Sequence, residues 1–126
     1  MARILVIDDE SDTRAMLEQT LVSAGYEVML AADGRQGVMQ HRANPSDLVI
    51  TDLFMPVQDG FETIRELRSQ FPRLPIIAIT GRPASGMMLS IAQSLIADGL
   101  LTKPFLPGEL IAAVARALRG PAEYPG

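Results

Sequence analysis

In the stretch Leu48-Val49-Ile50-Thr51-Asp52-Leu53-Phe54-Met55-Pro56-Val57-Gln58-Asp59-Gly60, an apolar run gives way to an acid and then to turn residues. Leu48–Thr51 has the length and branched content of a buried strand. Asp52 sits where that strand ends and a loop begins. Met55-Pro56 and Asp59-Gly60 turn the chain before a helical pattern opens at Phe61. A lone Asp in such a place is ordinarily a turn or cap residue. The elements on either side decide whether this one is more.

Upstream, Ile4-Leu5-Val6-Ile7 is a continuous branched run, the pattern of a strand covered on both faces, and it ends in Asp8-Asp9-Glu10. Ser11 and Asp12 are expected to cap a helix with Leu17, Leu21 and Ala24 at helical spacing, stopped at Gly25. Tyr26–Leu30 alternates as a second strand, Ala32-Asp33-Gly34 is a turn, and 35–43 is a short helix ended by Asn44-Pro45. Its His41 lies far in sequence from the acids and is expected at the surface, with no catalytic role.

Downstream, a helix over about 61–70 carries Phe61, Ile64, Leu67 and Phe71 on one stripe. Pro72 and Pro75 bracket the return to a strand over Ile76–Ile79, which ends at Thr80-Gly81. The loop 82–86 precedes a weaker helix with Met88, Ile91, Ala92 and Leu95. Gly86, early in this segment, costs about 1 kcal/mol against Ala in a helix, so the segment is expected to start late or be mobile. Leu100–Thr102 is the shortest strand, closed by Lys103-Pro104-Phe105. The last helix, about 107–119, sets Leu110, Ile111, Val114 and Leu118 inward and Ala112, Ala113, Ala115 and Ala117 outward. Five strands alternating with five helices through short connections define an α/β domain: a parallel sheet, doubly wound, with helices on both faces. The domain is expected over 1–120, with 121–126 a short tail or the start of a linker.

Composition narrows the chemistry. A chain of 126 residues with 48% hydrophobic and 21% charged residues is globular. A net charge of −4, with a single lysine and ten scattered arginines, argues against direct nucleic-acid binding. Without cysteine there are no disulfides or thiolate sites. No apolar run approaches a membrane span and no signal peptide is evident, so a cytoplasmic location without membrane insertion is expected.

In a doubly wound sheet the site lies beyond the carboxyl ends of the strands. Those ends supply Asp8 and Asp9, Asp52, Thr80 and Lys103. Two carboxylates about 4 Å apart repel by roughly 4 kcal/mol near a surface, so three need a cation or a proton among them. A hard oxygen-ligated ion such as Mg²⁺ suits them better than Zn²⁺. A carboxylate beside Mg²⁺ is also a nucleophile towards phosphorus, and Thr80 and Lys103 suit the phosphoryl oxygens. Singly, each residue has a plainer reading: acids at a helix start, a turn threonine, a solvated lysine. Their convergence on one sheet edge weakens those readings together.

Asp8-Asp9, Asp52 with Met55-Pro56 and Asp59-Gly60, Thr80, and Lys103-Pro104-Phe105 resemble, in order and over nearly the whole chain, the receiver domain of two-component response regulators (CheY-like superfamily). The resemblance implies a flavodoxin-like strand order 2-1-3-4-5 and a phosphorylation-dependent switch rather than an enzyme with a separate substrate. It implies that Asp52 accepts a phosphoryl group from a phosphohistidine. Asp9, Asp52 and the Phe54 backbone carbonyl would ligate Mg²⁺, with Asp8 acting through water. Thr80 would be the switch hydroxyl, Lys103 the phosphoryl contact, and Gly81 would leave room for the group. Phe54 and Arg82 would border the attacking water and influence the phosphoryl lifetime.

The implied partners are a sensor histidine kinase or histidine phosphotransfer protein, docking near Ala15, Met16, Gln19, Val22 and Pro104-Phe105-Leu106, and an output protein. Met87 and Met88 could extend an apolar surface. One departure stands out: Leu100 occupies the position of the family's usual aromatic, so the standard Thr–aromatic relay is not available. The alternatives are a receiver module of a longer regulator or hybrid kinase, a Mg²⁺-dependent phosphohydrolase and an FMN binder. Adjacent aspartates rather than Asp-x-Asp count against the second, and acids in place of a phosphate loop against the third.

Overall fold

Continuous branched runs need cover on both faces, and each of them forms a strand of one parallel sheet. The computed structural model describes residues 1–55, 57–81 and 98–119. In chain order the elements are β1 (Arg3–Ile7), α1 (Ser11–Ser23), β2 (Glu27–Ala31), α2 (Gly34–Ala43), β3 (Leu48–Asp52), α3 (Gly60–Gln70), β4 (Ile76–Thr80), β5 (Gly99–Thr102) and α4 (Pro107–Leu118). The five strands lie in the order β2-β1-β3-β4-β5, all parallel. The doubly wound architecture and strand order expected from the sequence are both present. The segment carrying Arg82, Gly86, Met87 and Met88, and the tail from residue 120, lie outside the described residues.

Alternation along each strand divides the core in two. Ile4, Val6, Leu48, Ile50, Ile77 and Ile79 face α1 and α4, where Leu17, Leu21, Leu110 and Val114 meet them. Leu5, Ile7, Val49, Ile76 and Ala78 face the other way, against Val38, Ile64 and Leu67 of α2 and α3. All of these are fully or almost fully buried. On the second face, a Cβ at Gly37 would overlap the Ile7 side chain, so glycine lets α2 lie close on β1.

Local chemistry sets the element ends. Gly25, at φ 97°, makes the left-handed stop after α1. Asp33 accepts from the Gln36 N–H at 2.8 Å and Asp59 from the Glu62 N–H at 2.8 Å, so both aspartates cap helices as well as turning the chain. The expected Ser11/Asp12 cap is not what forms. Ser11 is already helical and Glu10 holds the cap position, with no side-chain cap bond. The Asp8 carboxylate instead accepts from the Glu10 N–H at 2.9 Å and organises that turn.

Two further expectations are corrected. Ala117 faces the core with Leu110 and Val114, because positions i, i+4 and i+7 share a helix face; Ile111 and Leu118 are only partly buried. His41 is buried, not a surface residue: only 2% of it is exposed. Its Nδ1 lies 2.8 Å from Ser46 Oγ and accepts the Ser46 N–H at 3.1 Å, and its ring meets Phe71 edge-on at 4.4 Å. Gly34, Gly37, Val38 and His41 form the buried face of α2, which draws the imidazole inward.

Candidate functional site

Asp52 ends a strand buried at every position, so its carboxylate is delivered to the sheet edge by rigid backbone. Beyond it, the Leu53 N–H donates to Ile79 O at 2.9 Å and the Gly60 N–H donates to Leu53 O at 3.0 Å. Asp52 Oδ1 accepts from the Phe54 N–H at 3.1 Å, which tightens the turn. A Cβ on Gly60 would overlap the Asp52 carbonyl oxygen and Leu53 Cα, so glycine is what lets α3 start against this loop.

β1 brings Asp8 to the same edge. Its N–H donates to Ala31 O at 3.1 Å, its carbonyl accepts from Arg14 Nη1 at 2.6 Å, and it is buried. Asp9 and Glu10 follow it and are exposed. From β5, Lys103 returns to the edge with its N–H donating to Thr80 O at 2.8 Å, ahead of a cis Lys103–Pro104 bond. Its ammonium then lies 3.3 Å from Asp52 Oδ2, 3.4 Å from Asp8 Oδ2 and 3.6 Å from Glu10 Oε1.

Asp8, Asp9, Glu10 and Asp52 each offer an oxygen within 4.8 Å of the others. A cleft of about 620 Å³ opens over them, lined by Asp9, Glu10, Asp52, Phe54, Gly81, Lys103 and Pro104. The sequence-expected residues thus come together at the carboxyl edge. Asp8 and Thr80 do so from beneath, since neither lines the cleft and both are buried. A Cβ at Gly81 would touch Lys103 Cδ at 3.4 Å, so a larger side chain there would narrow the opening. Glu10 is the member that sequence reasoning left without a role; its adjacency to Asp8-Asp9 was the available signal.

The electrostatics follow from burial and crowding. Burial raises the Asp8 carboxyl above its ordinary pKa, and the Asp52 charge pushes the same way. The Glu10 N–H and Lys103 offset this only in part. Burial alone would lower the Lys103 ammonium, but the Asp52 and Asp8 carboxylates outweigh it and the net shift is upward. Lys103 therefore stays charged, and the site holds more negative charge than one ammonium neutralises. An all-oxygen donor set with excess charge and no sulfur fits a hard divalent ion.

A family model of the response regulator receiver domain matches residues 4–115. The chain belongs to that family. Curated relatives agree with the match. The alkaline phosphatase synthesis transcriptional regulatory protein PhoP of Bacillus subtilis is 34% identical over 93% of this chain and 48% of its own length. The uncharacterized transcriptional regulatory protein YrkP of the same organism is 40% identical over 93% of this chain and 49% of its own. The chain spans about half the length of the curated relatives it matches. Among solved structures, Vibrio cholerae chemotaxis protein CheY4 superposes with a TM-score of 0.86 at 37% identity, covering 93% of this chain and 98% of that one. A receiver domain protein from Clostridium thermocellum gives 0.85 at 32% identity, covering 94% and 95%.

As a receiver domain, the chain is part of two-component signalling, and the two curated relatives described above are named as transcriptional regulatory proteins. Among the described residues no helix is long and apolar enough to cross a membrane. Leu100, opposite Ala78 in the register and partly buried, packs into the α2/α3 side of the core.

Proposed function

We propose that this receiver domain takes a phosphoryl group from a phosphohistidine onto Asp52. The observation that carries the reading is the shared Lys103 ammonium, 3.3 Å from Asp52 and 3.4 Å from Asp8, at the floor of an open acidic cleft. An Asp52 carboxylate oxygen attacks phosphorus as the phosphorus–nitrogen bond breaks, and the imidazole leaves with the electron pair of that bond. Lys103 holds one phosphoryl oxygen and Thr80 the other side of the group. Asp8, Asp9, Asp52 and the Phe54 backbone carbonyl are the groups that would hold Mg²⁺. Bound there, Mg²⁺ screens the repulsion between the carboxylates and the incoming phosphoryl oxygens.

The output of the reaction is a change in partner binding. The donor, a sensor kinase or phosphotransfer protein, docks at a surface that draws on Met16 and Val22 of α1 and on Leu106, all three of them exposed. Dephosphorylation by water at the same site resets the switch. The receiver unit extends over 1–120, acts in the cytoplasm, and operates either alone or as the input module of a longer regulator.

The test is incubation with Mg²⁺ and acetyl phosphate followed by mass spectrometry. The expected product is an acid-stable, base-labile phosphoryl adduct that is absent in Asp52→Asn and lost on chelation. An adduct persisting in Asp52→Asn would move the acceptor elsewhere. No adduct even with a cognate kinase would leave a domain that only binds partners.

A further inference from the structure

Lys103 is bound by three carboxylates, and the third has no place in the proposed chemistry. Glu10 reaches the ammonium at 3.6 Å from the N-terminal cap of α1, while its own N–H is held by Asp8 at 2.9 Å. It lines the cleft with Asp9 and Asp52, and its side chain is 65% exposed, so its charge stands at the mouth and not in the floor. Glu10 thus puts a negative charge on the rim of the cleft that leads to Asp52. An incoming phosphoryl group also competes with Glu10 for Lys103.

We propose that Glu10 is a specificity-determining residue that selects phosphodonors by charge. Its carboxylate holds Lys103 until the phosphoryl group displaces it, and it disfavours donors that arrive with high negative charge. A donor whose reacting phosphoryl group is presented by a protein can offset the repulsion where that protein sets basic groups beside it. A small free dianion has no such compensation. The inference rests on Asp52 being the acceptor.

Two small donors of different charge test this. Near neutral pH acetyl phosphate is a dianion and phosphoramidate a monoanion. Adduct formation is timed for wild type and Glu10→Gln at saturating Mg²⁺, so that altered metal affinity does not enter. Glu10→Gln keeps the shape and removes the charge. It should speed acetyl phosphate about five- to tenfold and phosphoramidate distinctly less, the graded response expected of one charge acting over a few ångströms in a partly solvated cleft. Added salt should narrow the wild-type difference between the donors and change the variant little. Equal gains with both donors, or a loss with both, would overturn the assignment, because a purely positional hold on Lys103 does not distinguish donor charge. If wild type forms no adduct with either donor, the acceptor reading fails first.

Discussion

At the residue scale, His41 and Asp8 carry opposite pH signatures. Burial lowers the His41 imidazole below its ordinary value. The unfolded chain therefore takes up a proton near pH 6.5 that the folded chain refuses, and stability falls as pH drops through that region. Protonation would also cost the Nδ1 acceptor that receives the Ser46 N–H. Asp8 works the other way, since its raised carboxyl gives stability that is lost as pH rises through the folded pKa. The wild-type-minus-variant difference isolates the histidine. Urea unfolding between about pH 5.5 and 7.5 should show His41→Phe with a flatter decline towards acid than wild type; parallel slopes would mean that His41 does not set the pH response. The imidazole's burial was within reach of the sequence, because His41 repeats the face of Gly37 and Val38 at helical spacing. Distance from the acidic residues was the wrong criterion, since a site says nothing about where the rest of a helix faces.

At the scale of elements, the two helices on the α2/α3 side depend on glycine for different reasons, and the difference is measurable. At Gly60 the obstruction is backbone, the Asp52 carbonyl and Leu53 Cα; at Gly37 it is the far end of the Ile7 side chain. Side-chain ends move and backbone at a buried strand end does not. Gly37→Ala should cost about 1–3 kcal/mol, the usual size of overpacking. Gly60→Ala should cost more, above about 3 kcal/mol, and displace Asp52, with adduct formation falling further than stability alone explains. Comparable costs in chemical unfolding would show that the Asp52 loop gives way as easily as Ile7. Strand and helix identities were legible because apolar period and turn residues agree along the chain. Cap identities were less so. Asp33 and Asp59 stand three residues before Gln36 and Glu62, a recognisable capping pattern, but each is followed by glycine and reads first as a turn. For α4, alanine's indifference to burial hid Ala117 among its neighbours, and the steps of i+7 from Leu110 and i+3 from Val114 are what mark it as inward.

At the scale of the molecule, the parallel sheet made the site legible. Once every strand runs the same way, the residues at or just past the carboxyl ends of β1, β3, β4 and β5 must share one edge, so Asp8, Asp52, Thr80 and Lys103 can be gathered from the sequence. Nothing comparable told which of them line the cleft, because depth depends on side-chain packing and not on strand order. The same arrangement bears on how the domain reaches its native state. Asp8 and Lys103, in hydrogen-bond contact at 3.4 Å, are separated by 95 positions, and Asp52 and Lys103 by 51. Closing loops of that size is entropically costly and comes late when contacts are distant in sequence. Early compact species holding β1 to β3 would contain Asp8 and Asp52 but not the ammonium between them. Phosphoryl uptake should therefore report native chain and not collapsed chain. When urea-unfolded protein is diluted into Mg²⁺ and acetyl phosphate, the capacity to form adduct should grow with the slowest refolding phase, behind the recovery of helical signal. Adduct forming within the earliest phase would mean that acceptor competence is complete before β5 has docked.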